Sequence, residues 1–128
     1  MGVKSICGVI VAAKKPMALA DFYAKGLGLT FSEEEHGDLE VHYGVDIGEL
    51  HFGIHPASNL NMDKVGNASI VIAFNVDSLE ETEQQLLTLG AKRVTEPHDE
   101  GFGMVAAFRD PEGNCFEITE LRYEFHQP

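Results

Sequence analysis

The feature that most constrains this chain is a doubled order of elements. An apolar strand, one amphipathic helix closed by glycine and three further strand-like segments occur in residues 3–56 and again in residues 67–121. In the first copy, Val3 to Ala13 reads as a buried strand, with Ile6, Gly8 and Ile10 on one face and Cys7, Val9 and Val11 on the other. Pro16 is tolerated in a first helical turn. Leu19, Phe22, Tyr23 and Leu27 follow at helical spacing, and Gly28 stops the helix. Strands are expected over Leu29–Glu35, Leu39–Val45 and Glu49–His55, joined by short Gly/Asp connections that suit antiparallel hairpins. Residues 57–66, rich in Asn, Ser and Gly, read as a linker.

The second copy runs Asn67–Val76, a helix capped by Asp77 or Ser78 that reaches Leu89, then Ala91–Glu96, Phe102–Arg109 and Asn114–Leu121, with residues 122–128 left as a tail. The helix exits GLGLTF and TLGAKRV are equivalent points. Each copy has one helix and so covers one face of its sheet; the other face needs a partner. The expected organisation is α+β: a single domain made of two βαβββ modules.

The last hairpin is the most specific local signal. In FRDPEGNCFEITE (Phe108–Glu120), Asp110-Pro111-Glu112-Gly113 forms a turn in which proline sets φ and glycine takes the positive φ that other residues resist. In the following strand, Phe116 and Ile118 alternate with Cys115, Glu117 and Thr119, so one face is apolar and the other carries a carboxylate. A mid-strand glutamate on a strand this apolar is unusual unless it lines a cavity.

This phrase resembles the closing hairpin of the glyoxalase, bleomycin-resistance and extradiol-dioxygenase superfamily, the vicinal oxygen chelate proteins, and the resemblance extends over roughly residues 5–121. It implies a curved mixed-sheet half-barrel around a ligand cavity, helices outside, commonly completed in a homodimer. It also implies metal-ligand positions on the first and last strand of each module. The residues matching them are Cys7, Val71, His51 (with Glu49 and His55 as alternatives on the same face) and Glu117. Valine cannot ligate a metal, and the two histidines plus carboxylate of an extradiol centre are missing. A Cys7/His51/Glu117 set satisfies the three-ligand minimum of a catalytic zinc. The reading nevertheless favours no cofactor; if an ion is held, it would be zinc, nickel, manganese or iron on those three residues.

Two functions follow from the resemblance. The first is metal-free binding or sequestration of a small, cationic or amphipathic organic molecule, as in the bleomycin-resistance branch. The alternative is a glyoxalase-like lyase or isomerase in which Glu117 and His51 are the catalytic residues, so whether the chain is an enzyme is left open. The expected lining is Cys7, Val9, His42, His51, Val71, Ala73, Cys115 and Glu117. His42 shares parity with Glu40 and reads equally as an edge residue; His36, His98 and His126 read as surface positions, and Arg109 as an ion-pairing or solvated one.

Composition narrows the partners. A net charge of −12 opposes nucleic acid and anionic membranes, and no apolar run approaches a membrane span. Two cysteines without metal-type spacing, and no signal-peptide pattern, suggest free thiols in the cytoplasm.

Overall fold

The structure, a computed structural model, describes residues 2–35, 40–60 and 70–122. The chain divides into two compact units, Met1–Gly66 and Asn67–Pro128. His36, Leu39, His126, much of the expected linker and the start of the expected strand at Asn67 lie outside the described residues.

Unit 1 contains β1 (Gly8–Ala13), α1 (Pro16–Leu27), β2 (Ser32–Glu34), β3 (His42–Ile47) and β4 (Leu50–Pro56), followed by a 3₁₀ turn, Ala57–Leu60. Its sheet order is β1-β4-β3-β2, with β1 parallel to β4 and the remaining pairs antiparallel. Proline opens α1, and the Gly28 N–H closes it by donating to the Ala24 carbonyl. The helix contributes Leu19, Ala20, Phe22 and Tyr23 to the core, against Phe52 and Ile54 of β4. Tyr23 meets Phe52 edge-on with ring centroids 5.6 Å apart. Each such ring contributes about 1.5–3 kcal/mol by leaving water.

Unit 2 contains β5 (Ile72–Asn75), α2 (Leu79–Thr88), β6 (Lys92–Arg93), β7 (His98–Asp99), β8 (Gly103–Arg109) and β9 (Cys115–Leu121). The order is β5-β9-β8-β6, with β7 also on β8, and β5 is parallel to β9. Ser78 caps α2 by accepting from the Glu81 N–H at 3.2 Å, and the Glu120 carboxylate accepts from the Leu79 N–H at 2.9 Å. Two oxygens thus satisfy donors at the positive end of the helix. Leu79 and Leu86 pack on a core that includes Phe108, Phe116 and Ile118.

The fold is therefore α+β with two mixed sheets and one helix per unit. Several strands are shorter than the apolar runs suggest: β1 begins at Gly8 rather than Val3, and β2 at Ser32 rather than Leu29. One expected strand changes character. Ala91–Glu96 is replaced by β6 and β7 on either side of Pro97, both paired with β8. The ladder breaks at Val94 and Thr95, whose N–H groups both donate to the Ala107 carbonyl at 2.8 and 3.2 Å, and Pro97, which cannot donate, follows just before β7.

The closing hairpin forms as its sequence dictates. Gly113 takes φ 91°. Asp110, only 5% exposed, accepts from the Glu112 N–H (2.9 Å), the Asn114 N–H (3.0 Å) and the Asn114 side-chain amide (2.9 Å). The Arg109 guanidinium donates to the Gly113 carbonyl at 2.8 Å.

Candidate functional site

Register decides which side chains share the sheet face opposite each helix. In unit 1, His51 stands between Gly8 of β1 and Asp46 of β3, while Gly53 stands between Ile10 and Gly44, and Glu34 of β2 pairs with His42. His42, Gly44, Asp46, Glu34, His51 and His55 therefore lie on one face. Leu50, Phe52 and Ile54 lie on the other.

The polar groups on this face form a connected chain. His51 Nδ1 is 2.8 Å from Asp46 Oδ1, and its Nε2 is 3.3 Å from Glu34 Oε1. The same Glu34 oxygen lies 3.4 Å from Nε2 of the buried His42, whose ring stacks on His55 at a centroid distance of 3.8 Å. Both His51 nitrogens face carboxylates, which can only accept, so both bonds form together only on a doubly protonated ring. Accordingly the Asp46 hydrogen bond raises the His51 pKa above its ordinary value, with the charge and hydrogen bond of Glu34 adding to it and partial burial working against it. Gly44 makes the arrangement sterically feasible. A Cβ there would collide with Glu34 Oε1 and come within 2.6 Å of the His51 ring.

Cys7 and Val9 need a correction. Because Gly8 pairs with His51 and Val9 with Phe52, odd-numbered residues of the first strand share the parity of the helix face, and Cys7 is an exposed residue ahead of β1. Its backbone carbonyl accepts from the His51 N–H at 2.9 Å. Both faces of this strand are apolar in sequence, so alternation alone cannot tell which one meets the helix. Glu49 falls outside β4, in the turn before Leu50.

In unit 2, Glu117 stands between Ala73 of β5 and Ala107 of β8 and is half-buried. Cys115 and Thr119 share its face, as do Asn75 and, by parity, the half-exposed Val71 just before β5. Val105, Ala107 and Thr119 there are buried. His98, read from the sequence as a surface turn residue, belongs to this face: it pairs with Val105, which pairs with Thr119. Its Nδ1 is 2.8 Å from the Glu96 carbonyl and its Nε2 2.6 Å from Glu100 Oε1. These two bonds, Glu96 first, raise its pKa, and the charges of Glu100 and Glu117 act in the same direction against slight desolvation. The available signal was Pro97, which marks a broken edge strand rather than a loop.

Each face thus presents an imidazole held between two acceptors, with a half-buried carboxylate, Glu34 or Glu117, on the same face. The donor set does not match a superfamily metal centre. The first-strand neighbours of His51 and Glu117 are Gly8 and Ala73, neither of which has a ligand atom. Among the described residues no group of three or more His, Cys, Asp or Glu side chains is placed to hold a metal ion. Among the described residues no helix is long and apolar enough to cross a membrane.

Comparison with known proteins gives the same fold. No curated protein matches the chain in sequence. TnmS3, an antibiotic binding protein from Streptomyces sp. CB03234, is 16% identical with a TM-score of 0.74, the match covering 94% of this chain and 98% of that one. A glyoxalase/bleomycin resistance protein/dioxygenase family enzyme from Burkholderia phytofirmans PsJN is 20% identical with a TM-score of 0.72, covering 90% of this chain and 97% of the other. TioX from Micromonospora sp. ML1 is 17% identical, TM-score 0.70, covering 92% and 99%. The family model described as a glyoxalase-like domain matches residues 8–119, so the chain belongs to the glyoxalase-like domain family.

Proposed function

We propose that this protein binds a small organic molecule, without a resident metal, on the sheet faces that carry His51 and Glu117. The observation that carries this reading is the pairing of His51 with Gly8 and of Glu117 with Ala73, which leaves each first strand without a ligand atom beside the last-strand residue. An antibiotic binding protein among the structural neighbours supports it. Glu34, Asp46, Glu100 and Glu117, with the net charge of −12, suit a ligand bearing a cationic group. The reading places the protein in a reducing cytoplasm, in keeping with free Cys7 and Cys115.

We also read the working form as a homodimer. β1 and β5 are edge strands of their sheets, and Ile10, Ile70 and Val71 on or beside them are 52%, 75% and 49% exposed. Apolar edges of this kind are usually covered. Sedimentation equilibrium tests this, with a monomer at micromolar concentration as the opposing result.

The decisive experiment is calorimetric titration of chelator-treated protein with bleomycin and a panel of cationic and neutral antibiotics, followed by mass analysis of the recovered ligand. Saturable binding with unaltered ligand is expected. One stoichiometric divalent ion per chain in the protein before chelator treatment that is lost in Glu117→Ala, together with a chemically changed ligand, would instead support the lyase or isomerase reading with Glu117 and His51.

A further inference from the structure

β7 is two residues long and pairs only with Met104 and Val105, yet it carries His98 to the Glu117 face. Its anchor comes from the far end of β9. Arg122 Nη1 donates to Asp99 Oδ1 and Nη2 to Asp99 Oδ2, both at 2.7 Å, and Nη1 also donates to the Gly101 carbonyl at 2.8 Å. Asp99 Oδ1 accepts in turn from the Gly101 N–H at 2.7 Å, and the Arg122 N–H donates to the Phe102 carbonyl at 2.9 Å. Adjacent residues of a strand point to opposite sides. The dipeptide is therefore gripped through Asp99 on one side and presents His98 on the other.

We infer that the Arg122–Asp99 fork is a latch that fixes β7 against β8, and that Arg122 and Asp99 are positioning residues which set His98 on the ligand face. The ligand part of this statement rests on the binding function proposed above; the latch itself does not. A single exposed ion pair contributes little as a rule, but a two-point guanidinium–carboxylate fork adds direction as well as charge. Here both partners are further tied to the same tight turn. The depression of the Asp99 pKa to about 2, led by the Arg122 hydrogen bond, agrees with the geometry. Lysine keeps the charge but not the fork, so it separates latch from simple attraction.

The test uses the full chain as wild type, Arg122→Gln, Arg122→Lys and Asp99→Asn. Amide exchange is followed at Glu100, whose N–H donates to the Gly103 carbonyl at 2.9 Å, and at Gly101. The His98 ring signals are followed against pH. All three variants are expected to exchange at least about tenfold faster at Glu100 and to move His98 toward an ordinary histidine titration, while amides in the β8–β9 ladder stay protected. Unchanged exchange at Glu100 in Arg122→Gln would overturn the latch, as would full rescue by lysine.

Bleomycin affinity then reads the functional half, with a drop of about tenfold expected in Arg122→Gln and Arg122→Lys. Faster exchange with unchanged affinity would refute the positioning role. Failure of bleomycin to bind the wild type would count against the proposed function, and the exchange data would still decide the latch.

Discussion

Replacing Asp110 should cost more stability than replacing any other acidic residue in the closing hairpin. Its carboxylate is buried at 5% exposure and accepts three hydrogen bonds, two from backbone N–H groups of the turn and one from the Asn114 amide. A hydrogen bond to a charged acceptor contributes about 1.5–3 kcal/mol, less where water can replace it. Glu112 and Asn114 are half-buried, so part of their loss is recovered by solvent. Asp110→Ala is then expected to destabilise by about 3–4 kcal/mol, a large share of the ~5–15 kcal/mol typical of a domain. Asp110→Asn keeps the oxygen that serves both backbone donors and sets an amide against the Asn114 amide, which can turn over; about 1–1.5 kcal/mol is expected. Urea unfolding followed by far-UV circular dichroism reads the difference. With a slope near 2 kcal/mol per molar, the alanine midpoint should fall by about 1.5–2 M. An alanine variant within about 1 kcal/mol of wild type, or one no worse than asparagine, would refute the role assigned to the carboxylate.

Three further outcomes follow from the site and the helix cap. Gly44→Ala should fold, because the atoms its methyl meets are the ends of the Glu34 and His51 side chains, but it should separate those two groups and lower the His51 titration midpoint; an unchanged midpoint by NMR would count against the contact. Because the folded pKa of His51 is raised, its contribution to stability is present below the ordinary value of 6.5 and is lost as pH rises through the folded value. Wild-type stability relative to His51→Gln should therefore decline as pH rises from below 6.5 through the folded value, and a constant difference up to pH 9 would contradict this. Glu120→Ala removes the acceptor for the Leu79 N–H and should cost about 0.5–2 kcal/mol, seen as earlier thermal loss of helical signal.

Much of this architecture was legible because local chemistry and long-range order agree in it. Gly28, Ser78 and the Asp110–Gly113 turn each have a conformation that follows from their own side chains, and the doubled element order leaves few ways to cover both sheets. The site was legible only where a polar residue interrupts an apolar strand, as His51 and Glu117 do. Glu34 lies in a run of three glutamates, and nothing in the run marks the one that reaches across β3 to His51. The facing of the first strand was hidden because Val9 and Ile10 are equally apolar; only pairing with β4 separates them. Arg122 looked like the first residue of a tail because its partner, Asp99, is 23 positions away.

Pro97 has a wider consequence for the exposed border of its sheet. Together with the doubled donation of Val94 and Thr95 to the Ala107 carbonyl, it leaves the outer border of the second sheet without a continuous row of amide donors on which another chain could add as β-structure. The opposite border of the sheet is β5, and the apolar residues just before it, Ile70 and Val71, are exposed. An interruption that looks local thus removes one flank of the sheet as a template for fibrillar stacking.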